Sequence, residues 1–358
     1  MLDFYKNKNV LITGHTGFKG AWLCRILMQA GAKVTGYAIE PPTKPSLFVQ
    51  MGTEGGINHI HGDVRDRDAL IKAVQAAKPE IVFHMAAQPI VRYSYREPAE
   101  TYEVNVMGTV NILEAVQTTP AIKSFVNVTT DKVYENKERD EGYQEDENLC
   151  GYDPYSNSKS CSELVTYSYR KSFFYGSNDS PAISTARSGN VIGGGDYAED
   201  RIIPDCVRAM EAGAKVVIRN PRSTRPYQHV LECLYGYLLL AEKQYSDKSF
   251  EGAYNFGPND DSCVANENLV SLFCDAWGAG ASWQVQGDDG PHEANFLKLD
   301  CAKAKSVLGW KPRWDIRTAV EKVVEFAKIN TCHGQTACVD RQIKEYFEMN
   351  GENYGRSV

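Results

Sequence analysis

The sequence has no excess of basic residues and no long hydrophobic run. Of its 358 residues, 46 are acidic and 39 are basic, which gives a formal net charge of −7. Without a basic surface to offset phosphate repulsion, no nucleic-acid partner is expected. The longest apolar runs, such as residues 237–241, fall far short of the roughly 20 residues that span a bilayer, and the N-terminus lacks a signal-peptide pattern. These absences predict a cytoplasmic protein with no membrane partner.

Paired cysteines are also missing. The ten cysteines occur singly, and none forms a C-x-x-C pair. Cys332, His333 and Cys338 come closest to a metal-ligand group, but a zinc site would need a second pair. Scattered thiols of this kind are typical of a reducing compartment. We therefore predict reduced cysteines and no metal site.

The first half of the chain alternates short β-rich runs with helical stretches. Nearly continuous apolar strands between helices indicate a parallel sheet covered on both faces. Right-handed crossovers make this an α/β fold, a Rossmann-like doubly wound parallel sheet. The predicted strands are 9–13, 33–39, 59–64, 81–86 and 124–129, and the predicted helices are 18–30, 68–77 and 99–117.

After Gly189 the pattern becomes irregular and richer in glycine and proline. A chain of this length is expected to form about two domains. We predict a dinucleotide-binding domain with the catalytic residues at 1–188. A smaller, mixed α/β lobe at 189–358 would bind most of the substrate, with a diffuse boundary between the two.

A glycine-rich loop joins the first predicted strand to the first helix. Gly14, Gly17 and Gly20 form the pattern G-x-x-G-x-x-G. Gly14 permits the tight turn, Gly17 lets a pyrophosphate approach the backbone, and Gly20 allows the helix to pack closely on the strand. The helix N-terminus supplies amide donors for phosphates. Because strand, loop and helix occur in the required order, we expect a dinucleotide to bind here, with Thr16, Phe18 and Lys19 also in contact.

The acidic residue for the adenosine ribose is expected about 20 positions further on. Glu40 is the candidate, although it lies just past the predicted end of its strand. No arginine follows it to accept a 2′-phosphate. The sequence therefore favours NAD over NADP.

Two pairs fit the spacing Tyr-x-x-x-Lys, namely Tyr155/Lys159 and Tyr167/Lys171. Tyr155 follows Pro154 at the start of a helix and should face the ligand-binding end of the sheet. Tyr167 lies three turns further along and is expected in packing or on the surface. The first pair shares one helix face, where the ammonium and a nicotinamide charge would lower the phenol pKa towards neutrality. Tyr155 is thus the predicted acid–base residue.

Thr130, Asp131 and Lys132 follow the predicted strand 124–129. In a parallel sheet, the carboxyl end of a strand is the ligand-facing position. A polar turn capped by Asp131 would explain the same residues structurally. Combined with the tyrosine–lysine pair and the glycine loop, they indicate a catalytic site.

These motifs carry a family resemblance. GHTGFKG, HMAAQ, NVMGT, TTDKVY and YSNSK resemble the extended short-chain dehydrogenases/reductases that act on nucleotide sugars. Longer segments resemble more narrowly the branch whose members are CDP-glucose-specific 4,6-dehydratases. These segments are AAQPIVRYSYREPAETYEVNVMGT, TTDKVYENKE, ARSGNVIGGGDYAEDRIIPD and RPYQHVLE. The resemblance covers about residues 8–330 and implies NAD as cofactor and CDP-glucose as substrate.

The resemblance also implies roles for individual residues. Thr130, Tyr155 and Lys159 match the catalytic triad, with Thr130 bonding the sugar 4-hydroxyl. Asn105 matches a helix asparagine that supports the active site next to the cofactor. Further cofactor contacts are implied at Asp63 and Val64 near the adenine, at Ala86, Ala87 and Gln88 near the ribose and phosphates, and at Val128. Substrate contacts, chiefly to the diphosphate, are implied at Arg92, Asn190, Arg201 and Arg225.

The implied reaction is an internal redox cycle. C4 is oxidised, water is lost across C5 and C6, and hydride returns to C6, as in pathways to the deoxysugars of lipopolysaccharide. Asp131 would protonate the leaving hydroxyl. Relatives acting on dTDP-glucose read Thr-Asp-Glu, whereas this chain has Lys132 in place of the glutamate. Lys132 is either the C5 base as a neutral amine, or it stabilises an enolate while another group takes the proton.

Several alternatives stay open at this point. A nucleotide-sugar 4-epimerase would share the fold and the Tyr155/Lys159 pair without needing Asp131 and Lys132 together. A dehydratase acting on a dTDP-, UDP- or GDP-sugar is compatible too, because nothing in the spacing singles out cytosine. An NAD-sensing binding protein would be expected to lose Tyr155 or Lys159.

The helices 99–117 and 155–174 have apolar residues on more than one face. Relatives pair these helices into a four-helix bundle. We therefore predict a homodimer or a dimer of dimers.

Overall fold

The computed structural model describes residues 1–176, 179–286 and 296–348. The strands are β1 (Asn9–Thr13), β2 (Lys33–Ala38), β3 (Asn58–His61), β4 (Ile81–His84), β5 (Ser124–Val128), β6 (Ala182–Ser188), β7 (Val191–Ile192), β8 (Val216–Ile218), β9 (Thr224–Pro226), β10 (Gln228–His229), β11 (Ala253–Phe256), β12 (Cys263–Ala265) and β13 (Trp283–Val285). The helices are α1 (Phe18–Gln29), α2 (Leu47–Gln50), α3 (Arg67–Ala77), α4 (Val91–Arg96), α5 (Pro98–Tyr102), α6 (Gly108–Gln117), α7 (Pro154–Phe173), α8 (Ile202–Glu211), α9 (Val230–Ser246), α10 (Asn266–Trp277), α11 (Ile316–Ala327) and α12 (Cys332–Glu348).

Seven of these strands form one parallel sheet in the order β11-β6-β5-β4-β1-β2-β3. The chain runs outward from β1 to β3, crosses back to β4 and continues outward to β11. The order therefore reverses between β1 and β4. In open α/β sheets, ligands bind at the carboxyl ends of the strands at such a reversal. The predicted doubly wound, Rossmann-like sheet is confirmed.

Alternating side chains of the strands build two hydrophobic layers. Val10 and Ile12 of β1 belong to the layer covered by α1 and α9, whereas Leu11 belongs to the layer of α3 and α6. The inner strands are consequently buried on both faces, whereas the edge strand β3 is only partly buried. This is why the strands read as continuous apolar runs in the sequence.

The predicted helix 99–117 is interrupted in the structure. A π-helical turn at Glu103–Met107 separates α5 from α6. Asn105, the buried residue of this turn, uses its side-chain amide to bond Gln88 and Ser158. A π turn inside a helix is frequent at functional sites, and it leaves no trace in hydrophobic spacing.

A second hydrophobic cluster joins α8, α10, α11 and β8. It forms a smaller lobe beside the sheet from residues that all follow Gly189. Helix α9 and strand β11 also follow Gly189, but they pack against or join the main sheet. The division of the chain into 1–188 and 189–358 stays a prediction. Within the described ranges, no helix is long and apolar enough to cross a membrane.

Candidate active site

A cleft of about 1030 Å³ opens at the carboxyl ends of the strands, where the sheet order reverses. Residues from both lobes line it. Of the predicted site residues, only Asn105 is outside the lining. The others are all in it: Gly14, Thr16, Gly17, Phe18, Lys19, Gly20, Glu40, Asp63, Val64, Ala86, Ala87, Gln88, Arg92, Val128, Thr130, Asp131, Lys132, Tyr155, Lys159, Asn190, Arg201 and Arg225.

The glycine loop follows β1 and leads into α1. Gly14 has φ +74°, and a Cβ atom there would lie 2.7 Å from the Cα of Ala86. A Cβ on Gly20 would lie 2.4 Å from the carbonyl oxygen of Gly14. Both positions therefore require glycine, the first for its left-handed backbone and both for the close approach. The loop is held tightly against the end of β4, with the start of α1 facing the cleft.

The end of the cleft near β2 and β3 carries the residues predicted for the adenosine. The Glu40 carboxylate is 85% exposed and lies 3.3 Å from Nδ1 of His61. β3 ends at His61, so Asp63 lies in a loop rather than in the strand predicted at 59–64. Both oxygens of Asp63 accept hydrogen bonds from Arg65, a cleft residue that the sequence analysis did not single out. Burial favours a higher pKa for Asp63, but these bonds hold it below its usual value.

Asn105 supports the site from outside the cleft. Its Oδ1 accepts from the Gln88 amide at 2.8 Å, and its Nδ2 donates to the Gln88 carbonyl at 3.1 Å and to Ser158 Oγ at 2.9 Å. Ser158 in turn donates to the carbonyl oxygen of Tyr155 at 2.7 Å. The side chain thus ties the loop after β4 to the first turn of α7, which fits its predicted supporting role.

Helix α7 begins beside the cleft and presents Tyr155 and Lys159. Asp153 caps the helix by accepting from the Ser156 amide at 2.9 Å, and Pro154 occupies the first turn. Lys159 Nζ donates to the carbonyl oxygen of Val128 at the end of β5, at 3.1 Å. Tyr167 was predicted to lie in packing or on the surface rather than in the site. This prediction is confirmed, since the residue is 56% exposed.

The predicted lowering of the Tyr155 pKa depends on the charge of a bound nicotinamide and stays a prediction, whereas the protein's own surroundings shift this pKa upward. Burial raises the pKa of Tyr155 to about 12, and the neighbouring Thr130 hydroxyl opposes the shift. Burial also lowers the pKa of Lys159 to about 8, assisted by the charge of Lys19. Both shifts have one cause that the sequence did not reveal: the two side chains lie in a deep cleft that disfavours their charged forms.

The polar residues after β5 form a short 3₁₀ turn, Asp131–Val133, capped by Thr130. Thr130 Oγ1 donates to Asp131 Oδ1 at 2.9 Å and accepts from the Lys132 amide at 3.4 Å. Asp131 is buried, and its Oδ2 has no hydrogen-bond partner in the described part of the chain. Burial raises the pKa of this carboxyl group, although the charges of Lys132 and Arg225 oppose the change. The turn therefore holds a carboxyl group with one unused oxygen in the cleft.

Two carboxylates that the sequence analysis missed pair with arginines on the wall of the cleft that lies opposite α7 and the glycine loop. Asp196 Oδ2 accepts from Arg201 Nη1 at 2.9 Å. Asp200 Oδ1 lies 3.2 Å from Arg219 Nη1 and 3.9 Å from Arg92 Nε. Asp200 also has φ +57°, an uncommon backbone conformation outside glycine. The only signal in the sequence is the acidic stretch immediately before Arg201.

A larger cavity, of about 1240 Å³, lies behind α7 and contains none of the predicted site residues. Its lining includes the buried ion pair of Glu163 with Arg187 (Oε2 to Nη2, 2.9 Å) and several acidic side chains of segment 144–147. Among the described residues, no group of three or more His, Cys, Asp or Glu is placed to hold a metal ion.

The fold and the cleft define the class of protein, a dinucleotide-dependent α/β enzyme of the short-chain dehydrogenase/reductase type. A family model described as GDP-mannose 4,6 dehydratase matches residues 11–323, and the chain belongs to this family. It is 47% identical to CDP-glucose 4,6-dehydratase of Salmonella typhimurium over 351 residues, which cover 96% of this chain and 98% of the relative. It is 27% identical to dTDP-glucose 4,6-dehydratase of Streptomyces antibioticus, over 90% of this chain and 93% of the relative.

Solved structures share the fold. dTDP-glucose 4,6-dehydratase from Bacillus anthracis, in complex with NAD, aligns with a TM-score of 0.74 at 21% identity, over 90% of this chain and 96% of that one. UDP-glucose 4-epimerase from Thermus thermophilus, also with NAD, aligns with a TM-score of 0.78 at 23% identity, over 90% and 99%. Dehydratases and epimerases thus share this architecture, and the fold alone does not separate the two activities.

Proposed function

We propose that this protein converts CDP-glucose to CDP-4-keto-6-deoxyglucose and water, with NAD regenerated in each turnover. The observation that carries the proposal is the 47% identity with CDP-glucose 4,6-dehydratase of Salmonella typhimurium over 96% of the chain. The five predicted catalytic residues all line one cleft, which supports it. The product would feed the synthesis of deoxysugars of the kind found in lipopolysaccharide.

The residues around the glycine loop fit NAD. Gly14 and Gly20 leave no room for side chains where the loop approaches β4, and α1 starts directly beside the cleft, as a pyrophosphate site requires. The exposed carboxylate of Glu40 suits ribose hydroxyls and would repel a 2′-phosphate. When bound, NAD accepts the hydrogen and electron pair from C4 of the sugar and later returns them to C6.

Tyr155 is proposed to take the proton of the 4-hydroxyl as C4 becomes a ketone. Burial raises the pKa of Tyr155 to about 12, so the phenolate needs a nearby positive charge to form at neutral pH. The ammonium of Lys159, one turn further along α7, is suited to supply it. The Thr130 hydroxyl, which neighbours the phenol of Tyr155, is proposed to form a hydrogen bond with the same hydroxyl of the sugar.

Asp131 is proposed to protonate the hydroxyl that leaves C6. The new ketone at C4 acidifies the C5 proton, so that a base takes this proton while the C6 hydroxyl leaves as water with the proton from Asp131, and a C5–C6 double bond forms. The raised pKa of the buried Asp131 and its unbonded Oδ2 suit a proton donor. C5 regains a proton when C6 is reduced, which completes the methyl group. Two candidates remain for the C5 base. Either Lys132 takes the proton as a neutral amine, or another group takes it while Lys132 stabilises the enolate.

Arginines at the opposite wall are proposed to hold the diphosphate. Arg201 and Arg225 line the cleft with Asn190 and Arg92. Arg225 is buried and donates to the Thr224 carbonyl, while Arg201 is paired with Asp196. Charge-assisted bonds from guanidinium groups suit diphosphate oxygens. Phosphate would compete with the carboxylate for Arg201.

The test is a substrate panel with the purified protein and NAD. CDP-glucose, dTDP-glucose, UDP-glucose and GDP-mannose are incubated separately, and 4-keto-6-deoxy sugars are detected by their alkali-induced absorbance. Mass spectrometry must show the loss of one water. Product from CDP-glucose alone is expected. Product from another donor would overturn the base preference, and an epimer of unchanged mass would replace the dehydratase with an epimerase.

We also propose that the protein is a cytoplasmic homodimer or dimer of dimers. Large hydrophobic side chains of α7 are exposed, among them Leu164 and Tyr167, which lie three residues apart on one face of the helix. Burial against the sheet does not account for this second face. Pairing with the same face of another copy would cover it.

A further inference from the structure

Lys19 is a cationic residue in an unusual place. It lies in the first turn of α1, inside the glycine loop, and lines the cleft. Its Nζ donates to Ser188 Oγ at 3.0 Å and lies 5.9 Å from the centre of the Tyr237 ring. Throughout the described ranges, no carboxylate oxygen lies within the 4.0 Å of an ion pair with Lys19.

This position is costly for a positive charge. The N-terminus of a helix carries a partial positive charge, which repels an ammonium group. Burial, the largest influence, lowers the pKa of Lys19, and the charge of Arg201 lowers it further, while Cys233 and the more distant carboxylates of Asp131 and Asp196 oppose the shift without reversing it. A methionine of similar length would fill the same space without these costs. The ammonium group therefore calls for an explanation other than packing.

The charge lies at the reacting end of the cleft. Ser188 ends β6, and the next residue, Gly189, packs so closely that a Cβ atom there would be 3.2 Å from Asp131 Oδ2. Lys159 bonds the carbonyl oxygen of Val128 at the end of the neighbouring strand β5. Two ammonium groups thus lie at the ends of adjacent strands, and the charge of Lys19 disfavours protonation of Lys159.

We propose that Lys19 sets the balance between the two oxidation states of the cofactor, favouring the reduced form over the oxidised form. The inference rests on the proposed use of NAD. The nicotinamide ring carries a positive charge when oxidised and none when reduced. An ammonium held in the same cleft repels the first state and leaves the second unaffected. Lys19 would make the bound cofactor a stronger oxidant of C4, at the expense of NAD⁺ affinity.

The test measures binding rather than turnover. Wild type, Lys19→Met and the charge-retaining Lys19→Arg are titrated by calorimetry with NAD⁺, NADH and ADP-ribose, which lacks the nicotinamide. In Lys19→Met, we expect NAD⁺ to bind about tenfold more tightly, on the order of a single charge interaction in a partly screened cleft. Affinity for NADH and ADP-ribose should change little. Lys19→Arg should keep the wild-type ratio of NAD⁺ to NADH affinity.

Other outcomes would overturn the inference. If Lys19→Met weakens all three ligands alike, Lys19 is a pyrophosphate ligand; if the ratio does not move, its charge does not act on the nicotinamide. Lys19→Gln, which can still bond Ser188, gives the same comparison should the methionine variant fail to fold. Ser188→Ala, which leaves the charge in place, is expected to retain the wild-type ratio. Failure of the wild type to bind NAD⁺ or NADH would instead remove the proposed cofactor.

Discussion

The two tyrosines with a lysine four residues later offer a matched experiment. Tyr155 lines the cleft, whereas Tyr167 is exposed on the same helix. We expect Tyr155→Phe to lower the rate of product formation by about 10²- to 10⁴-fold, because a positioned acid–base group contributes this much. Calorimetric titration with NAD should show nearly unchanged affinity. Tyr167→Phe is the control, and an equal loss in both variants would contradict the assignment.

Substitution of Asp131 should slow the loss of water without slowing the oxidation of C4. Asp131→Asn keeps the size of the side chain but cannot donate a carboxyl proton to the leaving hydroxyl. We expect C4 oxidation to proceed, visible as absorbance of reduced cofactor after mixing with CDP-glucose, while water loss falls by about 10²-fold or more. Mass spectrometry of the sugar follows the second step. Full dehydratase activity in this variant would exclude Asp131 as the acid.

A buried carboxyl group joins three elements far from the cleft. Glu232 of α9 accepts from the amides of Arg313 (to Oε2, 3.0 Å) and Trp314 (to Oε1, 2.7 Å) and, through Oε2, from the Tyr346 hydroxyl of α12 at 2.7 Å. Burial raises the pKa of Glu232 from 4.5 to about 7, although these bonds oppose the shift. The contact that ties α12 to α9 is therefore expected to depend on pH.

For a raised folded pKa, the stabilising contribution is complete below the unfolded value and is lost as pH rises through the folded value. The free energy of unfolding should thus fall by at most about 3 kcal/mol between pH 4.5 and 7.5 through this one group. Glu232→Gln should flatten the dependence in urea titrations, whereas Glu321→Gln on the exposed side of α11 should not. A slope unchanged by Glu232→Gln would show that other groups cause it.

Strand and helix spacing predicted the first half of the sheet closely. The predicted strand 9–13 is β1 without change, and the strand at 124–129 is one residue longer than β5. Buried parallel strands can be recognised in a sequence as apolar runs between helices. The π turn around Asn105 and the late strand β11 were not predicted, because each depends on contacts with residues distant in sequence.

The candidate site was predicted in composition but not in its electrostatics. Motifs named the residues that line the cleft, since glycines and the Tyr-x-x-x-Lys spacing follow local geometry. The depth of the cleft, which raises the pKa of Tyr155, depends on how the two lobes pack. The pairing of Asp200 with Arg219 has no sequence pattern for the same reason.

The exposed hydrophobic face of α7 leads to a prediction about the oligomeric state of the whole molecule. Leu164→Glu places a charge on this face, so the proposed dimer should dissociate, with a measurable shift in mass by light scattering after gel filtration. Val49→Glu, an exposed hydrophobic residue on α2, is the control and should leave the mass unchanged. A wild-type protein that is monomeric at micromolar concentration would contradict the proposed assembly.

The first strand and the elements that cover it lie far apart in the chain. The hydroxyl of Tyr5 donates to the carbonyl oxygen of Leu238 at 2.6 Å, and α9 covers one face of β1, while β11 completes the sheet. Helix α1 covers part of this face early, but the part under α9 stays exposed to water until about 230 further residues have been synthesised. A fragment of residues 1–188 should therefore aggregate when expressed alone. Nascent chains should resist protease only after β11 has left the ribosome.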